Sequence, residues 1–282
     1  MAKTKWNILF VTFVLSCLSL ATLIVSLCTP YWVVSEAYES RASKNSEIQY
    51  GLFTGSLTRN VLLSSAHYDL AVICLYEHNA CVYSCQKEEA KRESELLDMM
   101  NGRTPAECPL VNTKLLSTSK SADAVTAVSS KAASKDDFIN AGMWVTTVVF
   151  LGIATAFSGA SVSLSIINVL FNPVEPILSV FGLYIWNGIV IGATLMTMIL
   201  WGALFGTQLS GNIGITDTLT PEAPYSSKGL AALGASYWIL FIPMVFHGVN
   251  IGLLLWRQYQ INKEPPPTTI GLDKSDLTII MF

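Results

Sequence analysis

Three groups of residues in this chain are of a type and spacing that could do chemistry. The first is a cysteine set: Cys74, Cys81, Cys85 and Cys108, with His78 close by. His78-x2-Cys81-x3-Cys85 could bring one imidazole and two thiolates together around zinc. An even set of four cysteines in an oxidising compartment instead forms two disulfides, with three connectivities open. The second group is Asn187, His247 and Asn250, polar side chains set in apolar surroundings. His247 and Asn250 are three residues apart and so share a helix face. They suit hydrogen bonding between helices, or a lipid or ligand pocket. The third is the chain end, Leu277-Thr278-Ile279-Ile280-Met281-Phe282. Ile280 and Phe282 with a free carboxylate are what a PDZ domain of the hydrophobic class takes as an added strand.

The elements that must hold these groups are legible in the distribution of charge. Half of the 282 residues (51%) are hydrophobic and only 13% are charged, against about 25% in a soluble domain. Four stretches, 6–35, 138–174, 176–216 and 229–256, hold no Asp, Glu, Lys or Arg. Each exceeds the ~20 residues that cross ~30 Å of hydrocarbon. This excludes a soluble enzyme, a nucleic-acid binder and a disordered chain. The expected fold is an α-helical membrane protein, a left-handed bundle of four transmembrane helices. Its large extracellular loop 1 would carry a small disulfide-stapled β-rich subdomain. The expected order is N-terminus 1–5, spans 6–28, 141–171, 177–206 and 231–256, loops 29–140, 172–176 and 207–230, and tail 257–282. Lys3 and Lys5 before an apolar run could open a signal peptide, but this run is longer than the usual ~7–15-residue core, so an uncleaved first span is expected.

Basic residues near span ends set orientation. Lys3, Lys5, Arg257, Lys263 and Lys274 lie on one side, and the short loop 207–229 has only Lys228. Both termini are therefore expected in the cytoplasm. The loop cysteines then lie on the oxidising side, which favours disulfides over zinc; no metal and no cofactor is expected. Within this loop, β-forming runs cover Ile48–Phe53, Tyr68–Tyr76 and Cys81–Tyr83. A charged stretch, Gln86–Met100, reads as a solvated helix with Glu88 and Arg92 paired four apart. Residues Ser117–Lys135 read as a weak helix or tether. No Asn-x-Ser/Thr sequon is present.

None of the polar residues inside the spans is formally charged, which argues against an ion pump, a carboxylate proton relay or a voltage sensor. Gly188-x3-Gly192, Gly202-x3-Gly206 and Gly248-x3-Gly252 are expected to pack helices closely. Pro243 is expected to kink the fourth span. Trp6, Trp32, Trp144, Trp201 and Trp256 fall near span ends, as in an interfacial belt.

Several of these residues together resemble the clarin family of tetraspan proteins, within the wider claudin-like group. The resemblance is carried by Thr29-Pro30-Tyr31-Trp32, by Gln49-Tyr50-Gly51-Leu52-Phe53, and by Pro173-x-Glu175-x6-Gly182-Leu183-Tyr184. Ser236-Tyr237-Trp238 and His247-x2-Asn250 complete it. It runs from Thr29 to the C-terminus apart from about 60–140. The resemblance implies a non-enzymatic scaffold at the plasma membrane, linked to sensory perception, ribbon synapses and cortical-actin organisation. The partners expected from the residues themselves are the lipid bilayer, membrane proteins met laterally and, through Ile280 and Phe282, a PDZ scaffold at the tail, with an oligomer left open. The alternatives are an auxiliary subunit of an ion channel and a claudin-like adhesion or junction protein. No His-box, paired intramembrane carboxylates or nucleophile motif points to an enzyme.

Overall fold

The computed structural model describes residues 2–37, 46–61, 64–101, 103, 138–171, 179–210 and 229–263. Four long helices carry the apolar runs: α1 (Ala2–Cys28), α3 (Ala141–Leu170), α4 (Val180–Leu204) and α6 (Phe241–Lys263). A π turn, Phe205–Leu209, extends α4, and a short helix α5 (Ala235–Trp238) precedes α6. Each of the four segments is long and apolar enough to cross a membrane. α1 and α4 each pack against both α3 and α6, which closes a four-membered ring.

The first loop, with help from the second, builds one antiparallel sheet. Its strands are β1 (Val33–Ala37), β2 (Ser46–Tyr50), β3 (Thr54–Val61), β4 (Ser64–Leu75), β5 (Ala80–Ser84), β6 (Ile139–Asn140) and β7 (Ala232–Leu233). The order across the sheet is β6-β5-β4-β3-β2-β1-β7. Strands β1 to β5 form a meander, so each pairs with its neighbour in sequence. Its two edges are short strands that lead directly into helices: β6 into α3 and β7, through Gly234, into α5. The meander's outer ladders are therefore covered by chain from the bundle, which removes long free edges.

The sheet is larger than the small subdomain expected. β3 was not anticipated, because only Leu57 of its residues gives an apolar signal on the buried face. β1, β6 and β7 were missed for a different reason. β6 and β7 are two residues each, which carry no periodicity, and their pairing partners lie far away in sequence. β1 (Val33–Ala37) has only its first two residues as a β-forming signal before Ser35 and Glu36.

Cys74 and Cys81 face each other across the β4–β5 hairpin and form a disulfide. That bond takes the Cys81 sulfur that the zinc reading needed. Cys85 is also disulfide-bonded. Cys108 lies outside the described residues. Closing a loop this short stabilises by about 2.5 kcal/mol in the chain-entropy picture.

The charged stretch does form a helix, α2 (Glu89–Met100), but it is not solvated all round. Leu96 and Met99 are buried against Ala80, Val82 and Phe138. Glu88 pairs with Lys91 at 3.2 Å rather than with Arg92. Arg92 instead donates to the carbonyls of Gln86 and Lys87, both at 3.1 Å, bracing the chain that leads into the helix. On the same buried face, Glu95 accepts a hydrogen bond from the Ser84 hydroxyl. Burial pushes its carboxyl pKa up, and the Ser84 bond opposes that shift.

Three further expectations change. Pro243 is the third residue of α6, where its missing N–H is one of the helix's unpaired donors anyway. The break falls earlier, at Ile239–Leu240 between α5 and α6. Trp6 and Trp256 are exposed on the bundle surface, as interfacial residues should be, whereas Trp32, Trp144 and Trp201 are buried. The glycine pairs do not pack helices. A Cβ built at Gly188, Gly192, Gly206, Gly248 or Gly252 meets nothing within 4 Å among the described residues, and only Gly202 faces a neighbour, the Tyr237 hydroxyl at 3.2 Å. The close contacts are made by buried serines, threonines and alanines such as Ser161, Thr194 and Ala154.

Candidate functional site

Two arrangements use the residues singled out by sequence. One joins sheet to bundle, and the other lies in the middle of the bundle.

At the junction, Trp32 is fully buried where the chain leaves α1 for β1. Its ring N–H donates to the Ser26 carbonyl at 2.7 Å, and its ring meets Trp201 of α4 edge-on, with 5.2 Å between centroids. Its backbone N–H donates to Tyr50 O at 2.7 Å and its carbonyl accepts from Gly234 N at 2.9 Å. Gly51-Leu52-Phe53 makes the turn between β2 and β3 directly beside it. A Cβ on Gly51 would sit 2.7 Å from Thr29 O and 2.8 Å from Pro30 Cα, so only glycine fits there. The Leu52 carbonyl accepts from the Trp144 ring N–H of α3 at 2.9 Å, and the Phe53 ring packs on Trp144 edge-on. The Gly51 carbonyl accepts from the Tyr83 hydroxyl, whose ring stacks on Tyr50 at 4.4 Å. Burial pushes the Tyr83 phenol well above the usual tyrosine range.

The second loop closes the junction. Ser236 N donates to Tyr31 O at 3.0 Å, and the Ser26 hydroxyl donates to Ser236 O at 2.8 Å. Gly234 approaches so closely that a Cβ there would run into the Tyr31 carbonyl. On the other flank, Gly142 N donates to Asn79 Oδ1 at 2.9 Å and Asn140 N to Gln208 Oε1 at 2.8 Å. Asn79, among the described residues the only non-glycine with positive φ (52°), thereby pins the β4–β5 hairpin tip to the start of α3. α1, α3, α4 and α5 are all tied to one sheet by polar bonds or ring contacts.

In the bundle, Asn187, His247 and Asn250 come together as their spacing suggested, joined by Ser16 and Ser158. All five are buried. The bond directions follow from one group. Asn187 Nδ2 donates to the Leu183 carbonyl at 2.6 Å, which sets the amide orientation because a carbonyl can only accept. Asn187 Oδ1 therefore faces His247 Nδ1 at 2.6 Å, so that nitrogen carries the hydrogen. His247 Nε2 is then the acceptor, and the Ser158 hydroxyl at 3.2 Å donates to it. Asn250 Nδ2 donates to Ser16 Oγ at 3.0 Å and to Asn187 Oδ1 at 3.3 Å. One uncharged network thus joins α1, α3, α4 and α6. Asn250 Oδ1 is buried without a partner.

Ser16 and Ser158 were not anticipated, although their signal was present. Thr12, Ser16, Ser19 and Ser26 recur at helical spacing on α1, as do Ser158, Ser161 and Ser165 on α3, and all are buried. Of the other sequence-chosen residues, Gln49 lies in β2, Gly182 and Leu183 are buried in the first turn of α4, and Tyr184 follows them. Pro173, Glu175, Ile280 and Phe282 lie outside the described residues. Chemically, both arrangements hold groups in place: most of their donors and acceptors are spent within the protein, with Asn250 Oδ1 and Trp201 Nε1 the exceptions among the residues of the two arrangements. No protein-family model matches the chain, and no curated protein does either.

Proposed function

We propose that this chain is a clarin-like, non-enzymatic tetraspan scaffold of the plasma membrane. In this reading both termini are cytoplasmic and the sheet stands outside. It organises membrane and cortical-actin-associated complexes in sensory or synaptic cells. The observation that carries the scaffold reading is the junction: the sheet is spliced into α3 and α5 through β6 and β7 and bolted to α1 by Trp32. A recognition surface held this rigidly on a bundle loses little entropy on binding a partner. The sensory and actin parts of the reading rest on the clarin resemblance of Trp32, Gly51-Leu52-Phe53, Gly182-Leu183-Tyr184 and His247-x2-Asn250.

Proximity labelling from the tail, in the native cell type, tests it. Enrichment of cortical-actin linkers and PDZ scaffolds is expected; neighbours drawn only from channel complexes would refute it. A tag after Phe282 should be shielded in intact cells and one near Ser119 accessible, and the reverse would overturn the orientation. The outward-facing glycines of α4 and α6 favour a second reading, an auxiliary subunit that packs sideways on an ion channel. Co-expression with a channel and recording of its gating distinguishes the two.

A further inference from the structure

Among the buried polar atoms of the bundle that lack a partner, one belongs to a cation. Arg257 lies on α6 three residues beyond Leu254, so it continues that residue's inward face by one turn. Leu254 belongs to an apolar seal with Leu9, Leu164 and Leu183, contributed by all four long helices. Arg257 sits just outside this seal, at the end of the bundle opposite the sheet. Its neighbours mark the depth: Trp256 and Tyr259 are both exposed on the outer surface, as at a membrane–water interface.

The guanidinium is not simply in water. Arg257 Nε is buried and has no hydrogen-bond partner. Side chains on a helix lean toward its N-terminus, which directs this one back toward the bundle. Tyr184 of α4 packs against the same seal. The Tyr184 hydroxyl is likewise buried and without a partner. Among the described residues no carboxylate pairs with Arg257. A forked cation and a hydroxyl therefore both border the seal at interface depth, and neither Arg257 Nε nor the Tyr184 hydroxyl has a partner. Burying such donors unpaired is costly, and a planar guanidinium matches the two oxygens of a phosphate.

We propose that Arg257 and Tyr184 form a binding notch for the phosphodiester of a phospholipid in the leaflet opposite the sheet. Arg257 donates in a fork to two phosphate oxygens, and the Tyr184 hydroxyl donates to one of them. Trp256 and Tyr259 are at the depth of the lipid's glycerol region.

Native mass spectrometry of the full chain, released from detergent with phosphatidylglycerol added, reads the site directly. The unsubstituted chain should retain phosphatidylglycerol but not diacylglycerol, which has the same tails without phosphate. Arg257→Gln should weaken retention by about tenfold and Tyr184→Phe by about fivefold. Arg257→Lys, which keeps charge and loses the fork, should fall between. If Arg257→Gln fails to fold by circular dichroism, Tyr184→Phe and Arg257→Lys carry the test. Equal retention in folded variants would overturn the proposal, as would displacement of the lipid by millimolar inorganic phosphate. Glu175→Gln is the remaining control: no change is expected, and a gain in lipid binding would mean that Glu175 holds the guanidinium instead.

Discussion

Asn187 is where the bundle's hydrogen bonding is most exposed to a single change. Replacing it by leucine keeps the volume and deletes an amide that accepts from His247 Nδ1 and Asn250 Nδ2 and donates to Leu183 O. Three bonds at the ~0.6 kcal/mol average for bonds inside membrane bundles give about 2 kcal/mol. A comparable penalty lies in what remains: His247 is left with a buried N–H and no acceptor, which costs a further ~1–3 kcal/mol. Asn187→Leu should therefore destabilise by about 3–5 kcal/mol. The triple change to leucine at 187, 247 and 250 removes the orphaned groups too. Ser16 and Ser158 are then free to bond back to their own helix carbonyls. The triple variant should therefore be closer to the parent than the single variant is. Unfolding by sodium dodecyl sulfate from mixed micelles, followed by tryptophan fluorescence, measures both. A triple variant less stable than Asn187→Leu would refute the reasoning, because cost would then follow the number of bonds lost and not the number of partners abandoned.

Other outcomes follow from single positions. Gly51→Ala must move backbone at Thr29 or Pro30 and should cost at least ~1–3 kcal/mol, whereas Gly188→Ala meets open space and should shift the thermal midpoint by no more than ~0.5 kcal/mol equivalent. Replacing Cys74 and Cys81 together by serine should lower stability by about 2.5 kcal/mol, and thiol labelling of the unreduced parent should leave both unmodified. The Glu95 carboxyl is easier to protonate in the folded chain than in the unfolded one. Its docking is therefore most favourable below the ordinary carboxylate pKa of 4.5 and weakens as pH rises from there through the raised folded value. Hydrogen exchange across α2 should accordingly be slower near pH 4 than at pH 7 after correction for intrinsic rates, and Glu95→Gln should remove that difference.

What could be read without the structure was set by local rules. Bilayer thickness is a one-dimensional criterion, so charge-free length located the four long apolar helices to within a few residues at most ends. The fourth was the exception: its helix runs to Lys263, beyond the expected end at 256. Helix period placed His247 and Asn250 on one face, and the network is where that face meets α1 and α4. Alternation located β2, β4 and β5. The rest depended on partners distant in the chain. β6 and β7 exist only because β5 and β1 offer free ladders. Trp32, Trp144 and Trp201 read as interfacial from their position at span ends, and only the sheet lying over those ends buries them. The glycine pairs carry a packing motif, yet which helix face turns inward is decided by where Asn187 and His247 find each other. The tautomer of His247 depends on a carbonyl four residues from Asn187. Arg257 became notable only once its Nε was found buried without a partner at the edge of the seal. Apolar length and period act along a single segment and can be read from it. Pairing, burial of aromatic ends and the direction of each hydrogen bond require two segments at once, and only the folded chain brings those together.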